Sequence, residues 1–209
     1  MSRVLITRIS SFGDVAMLVP VIFSVAEKYP QDRFTVLTRK AFTPLFENLG
    51  FNINVRSFDV QKHGSVFGLL RLTFSLLKGG YSHVADVHDV TRTKVIRKAF
   101  LLEGKKVAHI DKGREEKKKM IESKVLQPPL KHTIERYLDV FEKIGFSTEI
   151  TFKNYFEFKD RSLYPLRNIT TRKEHKWIGI APFAKHKGKI YPLEKNRKNC
   201  RLFFKKIRL

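Results

Sequence analysis

The run Val4-Leu5-Ile6-Thr7-Arg8-Ile9-Ser10-Ser11-Phe12-Gly13-Asp14-Val15-Ala16-Met17-Leu18 constrains the fold more than any other stretch of the chain. It opens with the β-branched apolar residues of a buried strand. It then breaks into a short Ser-Ser-Phe-Gly loop and becomes, at Asp14, an apolar segment with helical spacing. A strand, a small-residue loop and a helix N-terminus together make a place for anions, because unpaired backbone N–H groups and the helix dipole point at one spot. Here that spot also carries a carboxylate, Asp14, and the hydroxyls of Ser10 and Ser11. A phosphate cradle alone needs no acid; a catalytic site can use one.

The same alternation continues down the chain. A helix from about Asp14 stops at Lys28-Tyr29 before Pro30, and Arg33 to Thr38 reads as a second strand. Thr43 to Leu49 reads as a helix, with Pro44 in its first turn and Gly50 past its end. Ile53 to Phe58 is a third strand. Ser65 to Leu77 is amphipathic, with Phe67, Leu70, Phe74 and Leu77 at helical spacing and Gly79-Gly80 as its stop. His83 to Val87 is a fourth strand, Val95 to Leu102 a helix closed by Gly104, and Lys106 to Ile110 a fifth strand. Gly113 to Lys124 is densely charged, a solvated helix face or a loop. His132 to Ile144 is a helix with Ile134, Tyr137, Leu138, Phe141 and Ile144 inward. Strands and helices at this spacing predict right-handed βαβ units and a doubly wound parallel sheet.

From Phe146 to Lys176 the pattern weakens, as an interdomain connection does. Trp177 to Ala181 then gives a buried strand, followed by a polar loop and Pro192-Leu193-Glu194, the start of another helix. A second strand-loop-helix unit begins there. The tail beyond it has no acid, Gly, Ala or Val from Asn196 onward and cannot supply the strands of a second sheet. It reads either as a basic terminal helix or, the preferred explanation, as the out-of-frame product of a frameshift in an AT-rich gene.

Charge narrows the choice of partner. The net charge is +22, and seven of the 42 Lys and Arg fall in Lys195–Leu209, leaving 35 against 20 acidic residues before it. That remainder is spread over many elements, which suits anionic lipid or a phosphorylated sugar, with RNA as a further candidate. The single Cys200 excludes a disulfide framework and a Cys-based zinc site. The longest apolar stretch, Val15 to Ala26, is too short to span a bilayer, and no signal peptide opens the sequence. A cytoplasmic protein is expected.

In doubly wound sheets ligands bind beyond the carboxyl ends of the strands. Two polar clusters fall there, Arg8 to Asp14 and Asp86-Val87-His88-Asp89. No Gly-x-Gly-x-x-Gly follows the first strand and no Gly-Lys-Ser/Thr loop occurs, which argues against a dinucleotide dehydrogenase or a P-loop NTPase. Asp14 reads either as a residue that favours the helix dipole and caps N–H groups or as a general base kept ionised by that dipole. Ser10 and Ser11 are turn formers or ligands, and His88 a strand-end hydrogen-bonder or a substrate contact. Asp86 and Asp89 lack the further ligand spacing of a metal site, so no metal is expected. Lys185, His186, Lys187 and Lys189 around Gly188 form a phosphate clamp or a solvated loop.

These residues resemble a family. Ile9-Ser10-Ser11-Phe12-Gly13-Asp14-Val15, with Leu18 and Pro20 following, is similar to the N-terminal signature of the ADP-heptose:lipopolysaccharide heptosyltransferases, glycosyltransferase family 9. Asp86-Val87-His88-Asp89 with Arg92-Thr93 resembles the family's Asp-Leu-His/Gln-Gly…Arg-Ser segment, and His132 to Gly145 its helix closing the first domain. Ala181-Pro182-Phe183-Ala184 through Lys189-Ile190-Tyr191-Pro192 resembles the loop opening its second domain, with Tyr191 in place of the usual Trp. The likeness covers residues 1 to about 194.

The resemblance implies a GT-B architecture: a complete Rossmann-like acceptor domain over 1–150, a connection over 151–176, only the start of the donor-binding domain over 177–194, and the atypical basic tail over 195–209. It implies inverting transfer of heptose, or a related sugar, from an ADP-heptose-like donor to the lipopolysaccharide core or lipid A, without metal or other cofactor. Asp14 matches the base. Ser10, Ser11, His88 and Arg92 match the acceptor side, and Gly13, Lys185 and Lys189 the donor diphosphate. Peripheral contact with the cytoplasmic face of the inner membrane follows, and no nucleic-acid partner. With most of a donor domain lacking, the chain alone is expected not to catalyse transfer. A non-catalytic phosphoglycolipid-binding remnant and a basic nucleic-acid-binding protein stay open beside this reading.

Overall fold

The computed structural model describes residues 1–123, 129–155, 183–184 and 187–207. The chain divides into two units, Met1–Asp160 and Arg161–Leu209. The first is an α/β unit built on five parallel strands: β1 (Arg3–Thr7), β2 (Arg33–Arg39), β3 (Ile53–Phe58), β4 (His83–Asp86) and β5 (Lys106–His109), in the order β3-β2-β1-β4-β5. The central strand β1 has Val4, Leu5 and Ile6 fully buried. Side chains alternate across a strand, and accordingly Val4 and Ile6 enter one core while Leu5 enters the other.

The first core holds α1 (Phe12–Ala16), α2 (Leu18–Lys28) and α7 (Thr133–Lys143) against the sheet. The predicted single helix from Asp14 is therefore two, broken at Met17. Helix α7 starts with a capping box: His132 Nδ1 accepts from the Ile134 N–H, and Glu135 accepts from the His132 N–H at 2.7 Å. Its Tyr137, Phe141 and the following Ile144 are buried, as its spacing predicts. The second core lies under α4 (Val66–Leu77) and α5 (Thr91–Leu102), the crossover helices on the opposite face. Short helices α3 (Val60–His63) and α6 (Arg114–Glu122) complete the described part of this unit.

Two local expectations change. The helix predicted over Thr43–Leu49 is a 3-10 helix over Lys40–Leu45. Pro44 falls in its last turn, and the Phe46 N–H closes that turn on the Thr43 carbonyl at 3.0 Å. Helix α4 forms with Ser65 as N-cap, but Leu72, Thr73 and Leu76 make the buried face, while Phe67, Leu70 and Phe74 are exposed. In the second unit, the described residues form a 3-10 turn at Lys187–Lys189 and helix α8 (Leu193–Ile207). The strand expected over 177–181 lies outside the described residues.

Candidate active site

Strands β1 and β4 are neighbours in register, with Thr7 opposite Asp86, so the loops that leave them share one edge of the sheet. The chain passes from β3 to β4 across β1 and β2, which makes the β1–β4 junction the point where strand order reverses. Asp86, fully buried, shapes the second loop. Its carboxylate accepts from Thr7 Oγ1 at 2.9 Å and from the N–H groups of His88 and Asp89 at 3.1 and 2.9 Å, and pairs with Arg97 at 3.2 Å. A buried carboxylate needs such a set of donors. The turn they enforce puts Asp89 at φ 46° and brings His88 over the β1 loop.

His88 Nδ1 accepts from the Ile9 N–H at 3.4 Å, which leaves the ring proton on Nε2, 3.4 Å from Ser10 Oγ. Burial, together with the Arg8 and Lys112 charges, pushes the imidazole pKa down to about 4. His88 is thus a neutral hydrogen-bonder near pH 7, and the two loops are clasped through it.

Asp14 sits in the first turn of α1 with its side chain 35% exposed. Its Oδ2 pairs with Arg8 Nη2 at 2.6 Å and accepts from Ser11 Oγ at 2.7 Å and from the Ser11 N–H at 3.2 Å. Partial burial works against the carboxylate, but the Ser11 hydrogen bonds and the Arg8 charge outweigh it and hold its pKa below the usual value. Arg8 is in turn fixed from beneath: Nη1 donates to the Val87 carbonyl at 2.7 Å, and the guanidinium lies 5.8 Å from the Tyr137 ring centroid. The Tyr137 hydroxyl donates to the Asp14 carbonyl at 3.1 Å, tying α7 to the loop.

A cavity of about 400 Å³ opens on this cluster, and Arg8, Asp14, Lys112, Lys131, Arg136 and Tyr137 are among its walls. One acid among several cations suits a ligand that bears phosphate and presents a hydroxyl. An adjoining cavity of similar size is lined by Asp89 and residues 109–116. Lys112 bridges the two, donating to the Asp89 carbonyl at 2.8 Å.

Of the residues singled out from the sequence, Asp14, Ser10, Ser11 and His88 come together. Gly13 is exposed in the same turn, with open space where a Cβ would stand. Arg92 lines a different cavity, between the N-terminal ends of α4 and α5. Lys189 is exposed in the second unit, and Lys185 lies outside the described residues. Sequence reasoning passed over Lys112, Lys131, Arg136 and the fixing role of Tyr137. The one available signal was Arg8, a charge directly after a buried strand. Among the described residues, no group of three or more His, Cys, Asp or Glu side chains is placed to hold a metal ion.

No family model matches this sequence, and no curated protein matches it. Solved structures do. A glycosyl transferase family 9 protein from Veillonella parvula DSM 2008 aligns at a TM-score of 0.54 and 17% identity, over 81% of this chain and 51% of that one. The E. coli heptosyltransferase WaaC aligns over 73% of this chain and 51% of its own. Its structure with ADP gives a TM-score of 0.51 and that with ADP-2-deoxy-2-fluoro heptose 0.52, both at 17% identity. The parallel sheet described above is therefore the Rossmann-like N-terminal fold of GT-B glycosyltransferases, resembling that of family 9. The chain spans about half the length of the solved structures it matches.

Proposed function

We propose that this chain is the acceptor-side part of a family 9 glycosyltransferase that takes heptose, or a related sugar, from an ADP-heptose-like donor and transfers it with inversion to the lipopolysaccharide core or lipid A. The observation that carries the reading is Asp14, ionised and half open, on a cation-lined cavity at the strand-order reversal. The fold neighbours support it; the WaaC structures hold ADP and an ADP-heptose analogue.

In this mechanism Asp14 accepts the proton of an acceptor hydroxyl as that oxygen attacks the anomeric carbon and the bond to the nucleotide diphosphate breaks. The proton ends on the carboxylate and the electron pair on the leaving diphosphate. Arg8 and Ser11 hold Asp14 deprotonated and aimed, a positioning role. Lys112, Lys131 and Arg136 receive acceptor phosphate. Ser10 and His88 line the acceptor side of the loop, and Arg92 contacts acceptor beyond it. Gly13, Lys185 and Lys189 serve the donor diphosphate, whose charge is neutralised by cations rather than metal. The protein acts in the cytoplasm, peripheral to the inner-membrane face that displays its acceptor.

Titration of the chain with a deacylated, phosphorylated core saccharide tests this. Binding is expected, weakened about tenfold by Lys112→Ala and changed little by Asp14→Asn. In a protein that carries this chain together with a donor-binding domain, sugar transfer, followed as ADP release, is expected to fall by about 10² to 10⁴ in Asp14→Asn. Absence of saccharide binding, or equal transfer by Asp14→Asn, overturns the proposal.

A further inference from the structure

Helix α4 is apolar on more of its surface than the core uses. At about 100° per residue, Val66, Phe67, Leu70, Phe74 and Leu77 fall within one quadrant or little more, beside the buried Leu72, Thr73 and Leu76. Phe67 is 86% exposed, Val66 73% and Phe74 63%. Leu101 and Leu102, which end the neighbouring parallel helix α5, are exposed as well. Singly exposed apolar side chains are ordinary; a contiguous stripe with two phenylalanines marks a contact surface.

The charges around the stripe say what it contacts. Neither α4 nor α5 contains an acidic residue. Exposed Arg71 and Lys78 follow one border of the stripe, and exposed Arg92, Lys94 and Lys98 stand on α5, Lys94 with Asp89 at 3.7 Å. A second copy of this chain docked face to face would set these cations against their own equivalents. A bilayer rich in anionic phospholipid satisfies both halves of the pattern, accepting the apolar rings below its headgroups and pairing the cations with its phosphates. No helix among the described residues is long and apolar enough to cross a membrane.

We propose that the exposed face of α4, with its α5 border, docks this protein on anionic lipid by inserting Phe67 and Phe74. Val66 belongs to the stripe and also to the cavity that it shares with Arg92 at the ligand edge of the sheet. Docking through this face therefore sets Arg92 at the lipid surface while Asp14 keeps a separate cavity. The inference gives the peripheral contact proposed above a definite surface, and its test does not depend on the transferase reading because the probe carries no sugar.

The test is flotation of the full chain with vesicles of phosphatidylcholine, with and without phosphatidylglycerol. The chain is expected to bind the phosphatidylglycerol vesicles and to keep part of that binding in high salt. Phe67→Ser with Phe74→Ser is expected to reduce binding at least tenfold, with an unchanged far-UV circular dichroism spectrum, because both rings are already solvent-exposed. Phe67→Ser alone, at the most exposed ring, is expected to give a smaller loss in the same direction. Arg71→Ala with Lys78→Ala is expected to weaken binding only to the anionic vesicles. Binding by the double phenylalanine variant equal to wild type would place the contact elsewhere, for example on the basic α8, and overturn the proposal. So would a wild-type dimer that this variant dissociates, if neither protein binds vesicles.

Discussion

Asp14 serves two functions with one carboxylate. As the third residue of its helical turn it accepts from the Ser11 N–H, and it is also a wall of the basic cavity, where the proposed mechanism uses it. Its lowered pKa means that its contribution to stability is present above the ordinary carboxylate pKa and is lost as pH falls through the lower folded value. His88 acts in the same direction, at higher pH. Its folded pKa of about 4 lies below the ordinary 6.5, so the unfolded chain binds more protons between those values. Stability is expected to fall as pH drops from 6.5 to 4, by up to roughly 3 kcal/mol for this residue. His63 and His83 are also lowered, so the difference between wild type and His88→Gln in urea unfolding across that window isolates the share of His88. A His88→Gln profile parallel to wild type would refute it. Gly113 offers a second residue-scale prediction. It sits at φ 58°, and a Cβ there would run into the Arg136 guanidinium, which is held by Glu116 at 2.7 Å and by the Asp111 and Lys131 carbonyls. Gly113→Ala is expected to cost about 1–3 kcal/mol and, measured by saccharide titration, to weaken ligand binding in the cavity that Arg136 lines.

At the scale of elements, the joints matter more than the strands. Asn52, 4% exposed just before β3, directs Nδ2 at the carbonyls of Ala26, Tyr29 and Asp32 at 3.0, 3.2 and 3.0 Å. It closes the C-terminal end of α2 and its link to β2, where helix carbonyls lack intrahelical partners. Asn52→Ala leaves those carbonyls without this donor and is expected to destabilise by about 1–3 kcal/mol, read as a shift in the urea midpoint at unchanged slope. A shift within error would show that water replaces the amide freely. No periodicity argument reaches such a joint, because it depends on three backbone groups meeting one side chain. The strands themselves were legible, each from a short β-branched or apolar kernel, such as Val4–Ile6, Val36-Leu37 and Val84-Ala85, that recurs between helical segments. Which face of α4 turns inward was not legible, since apolar residues cover two adjacent faces and spacing alone ranks them equally. The 3-10 form at Lys40–Leu45 was missed because Pro44 is read equally well as a first-turn or a last-turn residue. At the site, Asp14, Ser10 and His88 were visible as polar residues at strand ends. Lys112, Lys131 and Arg136 were not, since lysines in a charge-rich region look alike until the fold selects the ones that share a cavity.

For the whole molecule the net charge of +22 is the property that most invites misreading. A nucleic-acid-binding domain gathers its cations along a groove or helix that follows the phosphate backbone. Here they occur in separate settings: around the Asp14 cavity, beside the apolar face of α4, and along α8 in the second unit. Each setting can draw a polyanion electrostatically, but only the cavity has fixed geometry, with Arg136 and Lys112 held by carbonyls and carboxylates. The two kinds of binding separate by salt. An RNA oligomer that engages six or more scattered cations should lose at least about a thousandfold in affinity between 50 and 200 mM salt. A saccharide with two phosphates in the cavity should lose only about tenfold over the same interval. Fluorescence anisotropy for the RNA and calorimetry for the saccharide measure both slopes on the same protein. Salt-sensitive, sequence-selective RNA binding that survives deletion of Lys195–Leu209 would restore a nucleic-acid partner, and a saccharide slope as steep as that of RNA would remove the cavity from the account. The expected result, RNA binding that lacks sequence selectivity and is lost with Lys195–Leu209 beside a shallow saccharide slope, assigns the charge excess to lipid and phosphorylated sugar.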